Sequence, residues 1–496
     1  MAATPSVRVR MYRQGLGDCF LITFDPGGQE KHLLIDCGTL GATTTKVNLS
    51  TVVQDIVQTT GNRVHLLIAT HEHWDHVRGF HDQKAAFTSL HADNVWLAWT
   101  ENPNDSLAKK IVKKKGDLGA ALQRAALALE RSPHEESQKE GLAVRDVVGF
   151  FGDEPLAAER FSETVNEAMN FVRTKNATCR FCKPGDGPFE ESWLPGFRFY
   201  VLGPPCSEKA LYDTGDKGSS ELYGVAAGLH AAATFAINGR PWNSYVGADS
   251  ERTRFLATLP FDERFRLETK SDEAHRFFDA TYFDKQDDWR RVDEDWLHVA
   301  SDLALQLDAA TNNTSLALAI ERIADGKVFL FPADAQEGNW LSWHDPKMKW
   351  SVTEGHTKRE VRAADLLART VFYKVGHHAS HNGTAKGKGL DLMQSPELIA
   401  CIPVDRDVAL GRNPKDSWQM PAFTLYRKLL EKCSGRVVRS DLGWADDAAN
   451  AANKTVEKEF KGLATKAEWT KWKQEQKQAE TKKAVTINHD FVDFIL

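Results

Sequence analysis

The sequence predicts an α/β protein, with a layered core of short buried strands and helical stretches between them. Two observations predict it. Apolar, β-rich runs stop abruptly at Gly or polar residues, as buried strands of layered α/β proteins do. Stretches rich in Ala, Leu, Glu, Lys and Arg with helical spacing separate groups of these runs. The 496 residues are enough for roughly three domains, or for one large fold with long insertions.

In chain order, Val7–Arg13 alternates, Phe20–Phe24 is apolar, and Leu33-Leu34-Ile35 runs into Asp36-Cys37-Gly38. Val64–Ala69 is a further strand that stops at Thr70-His71-Glu72-His73. Leu107–Arg131 and Leu156–Arg173 read as helices, the second with Pro155 at its start. Strand character returns at Phe197–Leu202. Leu316–Ile320 and Val328–Phe331 read as a hairpin across Ala324-Asp325-Gly326-Lys327. Val371–Val375, Leu398–Ile402 and Arg436–Arg439 follow. Lys454–Lys483 then reads as an exposed helix, and Ala484–Ile487 as a last strand. The expected core is 1–100, 186–205 and 311–445. It is interrupted by a helical insertion at 101–185 and a mixed, aromatic and acidic one at 206–310, with 446–496 as an appended helix and strand.

Composition excludes several classes. A hydrophobic fraction of 42% with 27% charged residues rules out a wholly disordered chain, a collagen and a disulfide scaffold. The longest nearly apolar run, Leu222–Ile237, contains His230 and is shorter than the roughly 20 residues of a membrane helix. The N-terminus shows no apolar h-region. Seven scattered cysteines are expected to be reduced thiols, so the expected compartment is the cytoplasm, with no membrane partner. A net charge of −6 does not favour nucleic acid, although a global sum leaves room for a local basic groove.

His71-Glu72-His73-Trp74-Asp75-His76 is the strongest signal in the chain. Two imidazoles two residues apart just past a strand end can point into one cavity. Asp75 and His76, at the start of the following helix, can face that cavity from its other side. Nitrogen ligands with a carboxylate suit a borderline metal such as zinc. Distant segments supply more ligands of the same kind. Asp334 follows the strand ending at Phe331, and His377 and His378 follow the strand ending at Val375. Three strand ends with metal-type ligands on one rim would give a two-metal hydrolase.

Through the HEHWDH motif the sequence resembles the metallo-β-lactamase fold superfamily, and within it the hydrolase domain of the DNA-uptake protein ComEC and its stand-alone relatives. The finer likeness lies in Gly17-Asp18-Cys19-Phe20-Leu21-Ile22, Leu34-Ile35-Asp36-Cys37-Gly38, Leu202-Gly203-Pro204 and Asn313-Thr314-Ser315-Leu316. It continues in Phe331-Pro332-Ala333-Asp334-Ala335, Lys374–Ser380 and Arg439–Gly443. The resemblance covers about half of the chain and implies an αββα sandwich with the site on one rim. It implies that His71 and His73 hold a first metal, Asp75 and His76 a second, and that Asp334 bridges. His377 or His378 would complete the second position, strand geometry leaning towards His377. Asp36 would orient a ligand histidine. Many relatives place a further histidine near the position of Gly203, and this chain has none there. Ala333 and Ala379 replace usual glycines, and Gln419-Met420-Pro421 stands where such relatives often have a histidine before the proline.

The expected function is a metal-dependent hydrolase using a metal-bound hydroxide, with two divalent ions, zinc first and manganese as the alternative. Asp75 counts among both the ligands and the catalytic side chains, with His381 or Lys374 stabilising the developing oxyanion. A phosphodiester, in nucleic acid or elsewhere, is the favoured substrate. A small ester, lactone or thioester on the same metals is the alternative, and would need a closed apolar pocket. A non-catalytic binding or scaffold protein of the same fold is a further rival, opposed by the complete ligand set.

Other signals carry bland readings. Asp249 mimics the bridging aspartate but lacks the hairpin context of Asp334. Cys179 and Cys182 read as a simple pair of thiols, and Lys109–Lys115 as a solvated helical face. Trp242, Trp289, Trp296, Trp340, Trp343 and Trp350 read as packing residues, and so does His230.

Overall fold

The computed structural model describes residues 4–41, 43–132, 134–152, 161–175, 178–212, 272–281, 299–354, 357–410, 418–445 and 463–496. Two sheets dominate. The first has eight strands in the spatial order Val485–Ile487, Phe491–Ile495, Ser6–Tyr12, Phe20–Asp25, Lys31–Ile35, Leu66–Ala69, Val95–Ala98 and Cys179–Cys182. The second has seven, ordered Gly443–Trp444, Val437–Arg439, Ile399–Ile402, Thr370–Lys374, Lys327–Phe331, Leu318–Arg322 and Phe197–Val201. In both, antiparallel pairs at one side give way to parallel pairs around the strands that carry the site.

The side-chain period of two decides the layering. Along Phe20–Asp25, Phe20, Ile22 and Phe24 join an apolar cluster with Phe197, Phe329 and Phe372 of the second sheet. Leu21 faces the other way, into the cluster that holds the helices. Ring pairs cross the interface, with centroids 6.1 Å apart for Phe20 and Phe331, and 5.2 Å for Phe372 and Phe494. The result is two sheets packed face to face, with helices such as Leu49–Thr60 and Phe423–Lys432 packed on their other faces. The expected hairpin is present, Leu318–Arg322 pairing antiparallel with Lys327–Phe331.

Several boundaries differ from the sequence expectation. The helical stretch at 101–185 ends too late, because Cys179–Cys182 pairs parallel with Val95–Ala98 as an edge strand. It is also not a separate body. Helix Glu163–Arg173 packs on helix Trp74–Asp82 and on strands Leu66–Ala69 and Val95–Ala98, and helix Ser106–Glu130 shares its apolar cluster with the core. Ala300–Asn312, assigned to the mixed insertion, is a helix packed against Ser106–Glu130 and Glu135–Val148. The chain end is not an appendage. Phe491–Ile495 pairs with Ser6–Tyr12, and the helix expected to be merely exposed, observed at Lys466–Thr481, buries Trp469 and Trp472. Trp340, Trp343 and Trp350 are buried packing residues. Most of 206–310 lies outside the described residues, including His230, Trp242, Asp249, Trp289 and Trp296. Among the described residues no helix is long and apolar enough to cross a membrane.

Candidate metal centre

Parallel strands deliver their carboxyl ends, and the loops beyond them, to one rim. Leu66–Ala69 ends at Thr70, and His71, Glu72 and His73 lead into helix Trp74–Asp82, with Asp75 and His76 in its first turn. Asp36 lies just past the end of the neighbouring strand Lys31–Ile35 and anchors this turn. It accepts from the Thr70 backbone N–H at 2.8 Å, from the Thr70 hydroxyl at 2.7 Å and from His76 Nδ1 at 2.8 Å. With Nδ1 so engaged, His76 Nε2 turns towards Asp334 Oδ2, 3.1 Å away. Close backbone approach makes this possible. The Cys37 N–H donates to the His76 carbonyl at 2.8 Å and the Gly79 N–H to the Cys37 carbonyl at 2.7 Å. A Cβ on Gly38 would stand 2.2 Å from the carbonyl carbon of Asp75.

The second sheet supplies the facing groups. Asp334 follows Lys327–Phe331, and Lys374 ends Thr370–Lys374. Lys374 Nζ lies 3.0 Å from Asp334 Oδ1 and 2.5 Å from Asp18 Oδ2, so it is clamped between two carboxylates. His378 Nε2 is 2.8 Å from Asp75 Oδ2 and 3.3 Å from Asp334 Oδ2, while its Nδ1 is held by the Pro403 carbonyl at 2.6 Å. His377 points elsewhere, its Nδ1 2.7 Å from the Ser380 hydroxyl and its Nε2 3.4 Å from Asn312. The turn explains the choice. His377, His378 and Ala379 have φ of 45°, 49° and 64°, a left-handed run that swings the second imidazole back to the cluster. Ala333 is left-handed too, at φ 52°, so both alanines that replace usual glycines sit where glycine is least strained. His381 is exposed.

Asp18, His76, Asp334 and His378 offer one ligand atom each within 4.8 Å of one another, all four residues buried. His71 and His73 lie alongside, with rings 4.8 Å apart. His71 Nδ1 is 3.2 Å from the Thr70 hydroxyl and 3.3 Å from that of Ser315. The Nε2 atoms of His71, His73 and His76 and Asp75 Oδ1 are buried without a hydrogen-bond partner. Buried polar atoms are rarely orphaned, so a converging set of them marks room for a cation.

Electrostatics point the same way. Burial pushes His73 down to about 3 and, with its imidazole neighbours, His71 well below the ordinary range, so both are neutral donors. Burial also opposes the charged forms of His76 and His378, but the surrounding carboxylates, Asp334 foremost, outweigh it and hold His378 at about 10. Burial would raise Asp334, yet Lys374, His76 and His378 hold it well below the ordinary carboxylate range. The carboxylates are thus compensated by one ammonium and two imidazolium groups, a role a divalent cation fills equally well.

The surroundings are partly aromatic. Phe150 and Phe151 pack on His73 with centroids 5.4 and 4.9 Å away, and Trp418 lies 4.9 Å from Phe150. The lysine run is largely spent on ion pairs. Lys110 and Lys114 both bind Glu208, and Lys115 is buried against Glu72. In the Arg439–Gly443 segment, Arg439 pairs with Asp441 at 2.9 Å and the Ser440 hydroxyl donates to the Val404 carbonyl at 2.8 Å.

Residues 12–89 match the family model of the metallo-beta-lactamase superfamily. The match supports the superfamily on the segment that contains Asp18, Asp36, His71, His73, Asp75 and His76. With the buried His/Asp cluster it supports a metallohydrolase, since members of that superfamily are mostly hydrolases. None of the curated proteins and none of the solved structures compared with the chain matches it.

Sequence reasoning gave no role to Asp18, Ser315 or Asp308. Asp18 sits in a short Gly-Asp-Cys turn whose approach to Lys374 depends on sheet packing. Asp308 did leave a signal, a lone carboxylate in the apolar run Leu303-Ala304-Leu305-Gln306-Leu307-Asp308-Ala309-Ala310.

Proposed function

We propose that this protein is a metal-dependent hydrolase acting through water activated at the His/Asp cluster. The observation that carries the reading is the set of buried, unpartnered ligand atoms on His71, His73 and Asp75, beside the buried cluster of His76, Asp334 and His378. His71 and His73 would hold one divalent ion, and Asp75, His76 and His378 a second, with Asp334 between them. Bound ions would supply a nucleophile at neutral pH by lowering the pKa of water, in the best-known zinc case from about 15.7 to about 7. Asp36 keeps His76 in the tautomer that presents Nε2 to the cluster. Lys374 holds Asp334 and Asp18 in register, which makes it a positioning residue rather than a free oxyanion donor.

The favoured reaction is phosphodiester hydrolysis. Two cations on opposite oxygens stabilise the charge of a phosphoryl transition state more than that of a neutral ester. The ComEC-like set around Lys374–Ser380 supports the same choice. Two observations favour a second reading, hydrolysis of a small ester, lactone or thioester. Phe150 and Phe151 wall His73, and the lysines nearest the site are already paired. Protein loaded with Zn²⁺ or Mn²⁺ and assayed on DNA, RNA, chromogenic phosphodiesters, lactones and thioesters separates them. Turnover of phosphodiesters, lost in His73→Ala, supports the first reading. Cleavage of lactones or thioesters with every phosphodiester left intact decides for the second. A nucleic-acid substrate further requires binding that weakens steeply with salt.

A further inference from the structure

The geometry points to Asp308 as a further protein ligand, beside the shared Asp334, of the metal position held by His71 and His73, a carboxylate where no third imidazole stands among the described residues. This inference rests on the metallohydrolase reading and names a residue outside the segment that carries the family match.

His71 and His73 present their Nε2 atoms, both buried and both without a hydrogen-bond partner. Two nitrogens and a share of Asp334 leave a four-coordinate position with one place to fill. Gly203, where sequence reasoning looked for another histidine, is filled from across the core: a Cβ there would lie 2.0 Å from the Asn339 side-chain oxygen. No imidazole fits in that space.

The missing donor comes from helix Ala300–Asn312 instead. Its buried face carries Leu303, Ala304, Leu307 and Thr311, and Asp308 adjoins that face near its C-terminal end. Asp308 Oδ1 lies 3.8 Å from His73 Nε2. That is too long for a hydrogen bond. It is a few tenths of an ångström more than the roughly 3.3 Å between two ligands on one tetrahedral zinc with bonds of about 2.0–2.1 Å. Asp308 Oδ1 is itself buried and without a hydrogen-bond partner. Its other oxygen accepts from Asn312 Nδ2 at 3.1 Å, one helical turn on, which orients the carboxyl group. Orphaned atoms of His73 and Asp308 thus face each other from two elements that the fold brings together, with the orphaned Nε2 of His71 on the neighbouring ring. A carboxylate whose inward oxygen is buried beside neutral imidazoles is costly to charge, and a divalent ion between them removes that cost.

An oxygen ligand in place of a third imidazole makes this position harder in character, so it accepts Mn²⁺ as readily as the second position does. The test measures metal rather than turnover. Full-length wild type, Asp308→Ala, Asp308→Asn and Asp308→His are stripped, reloaded with zinc and analysed for bound metal and affinity. Wild type is expected to hold close to two ions per chain, Asp308→Ala close to one, and Asp308→His two again. Asp308→Asn keeps the side-chain volume and guards against a folding defect in the alanine variant. It should weaken one of the two ions by at least about tenfold and leave the other unchanged. Cobalt loading should show the spectrum of one site lost in the same variants. Two ions bound with unchanged affinity in both Asp308→Ala and Asp308→Asn would overturn the inference while leaving the hydrolase reading intact. A wild type that binds no metal would overturn the hydrolase reading itself.

Discussion

Replacing Gly38 with alanine isolates the contact on which the metal-binding turn depends. Gly38 does not have positive φ, so alanine suits its backbone and the only effect is space. The added Cβ would lie 2.2 Å from the Asp75 carbonyl carbon and 2.3 Å from its oxygen and from the His76 nitrogen, where ordinary contact begins at 3.4 Å. The first turn of helix Trp74–Asp82 must therefore retreat by about 1 Å, and it carries Asp75 and His76 with it. Overpacking of this kind costs about 1–3 kcal/mol, and a clash with backbone belongs at the upper end. A ligand set tolerates displacements of only about 0.5 Å, so metal retention should fall more than stability does. Gly116→Ala is the control, since nothing lies within 4 Å of its added Cβ and alanine is the better helix former. Urea denaturation and elemental analysis are the assays. Gly38→Ala should lower both the midpoint and the zinc content, whereas Gly116→Ala should lower neither. A Gly38→Ala protein with wild-type stability and wild-type zinc would refute the reasoning.

Two further outcomes follow from buried charge. Glu101 is buried beside Glu72, and burial pushes its carboxyl group from 4.5 to about 7. The folded state then holds the proton more tightly, so this contribution to stability is full below about pH 4.5 and is lost as pH rises towards 7, about 3 kcal/mol in all. Glu101→Gln should flatten that part of a denaturation-versus-pH curve and be the more stable protein at pH 8, and an unchanged slope would count against the assignment. Zinc uptake at pH 7 should release at least one proton per chain, because His378, held at about 10, must become neutral to ligate. Calorimetry in buffers of different ionisation enthalpy measures the release, and zinc binding without it would remove His378 from the ligand set.

What the sequence made legible was what the chain keeps local. HEHWDH could be read because one strand end and one helix start carry all four side chains. Asp334 and the His377-His378 pair could be read because each closes an apolar run. Which of the two histidines faces the cluster was not legible. It depends on a left-handed run at 377–379 that apolar periodicity does not encode. Asp18 and Asp308 reach the site through sheet packing and helix packing, contacts between residues far apart in sequence. The strand Phe491–Ile495 alternates correctly, but it is short and follows a long polar helix, so its place beside Ser6–Tyr12 emerges only from pairing. Cys179–Cys182 escaped notice for a related reason, since four half-polar residues make a strand only when an edge is waiting for them.

The most direct test of the account is the metal content of the full chain, purified without chelator and then titrated with zinc, beside Asp334→Asn. The account predicts close to two transition-metal ions per chain in the wild type. It predicts a loss at both positions in the variant, because one carboxylate serves both ions. No metal in the purified protein, and none taken up on adding zinc, would contradict it.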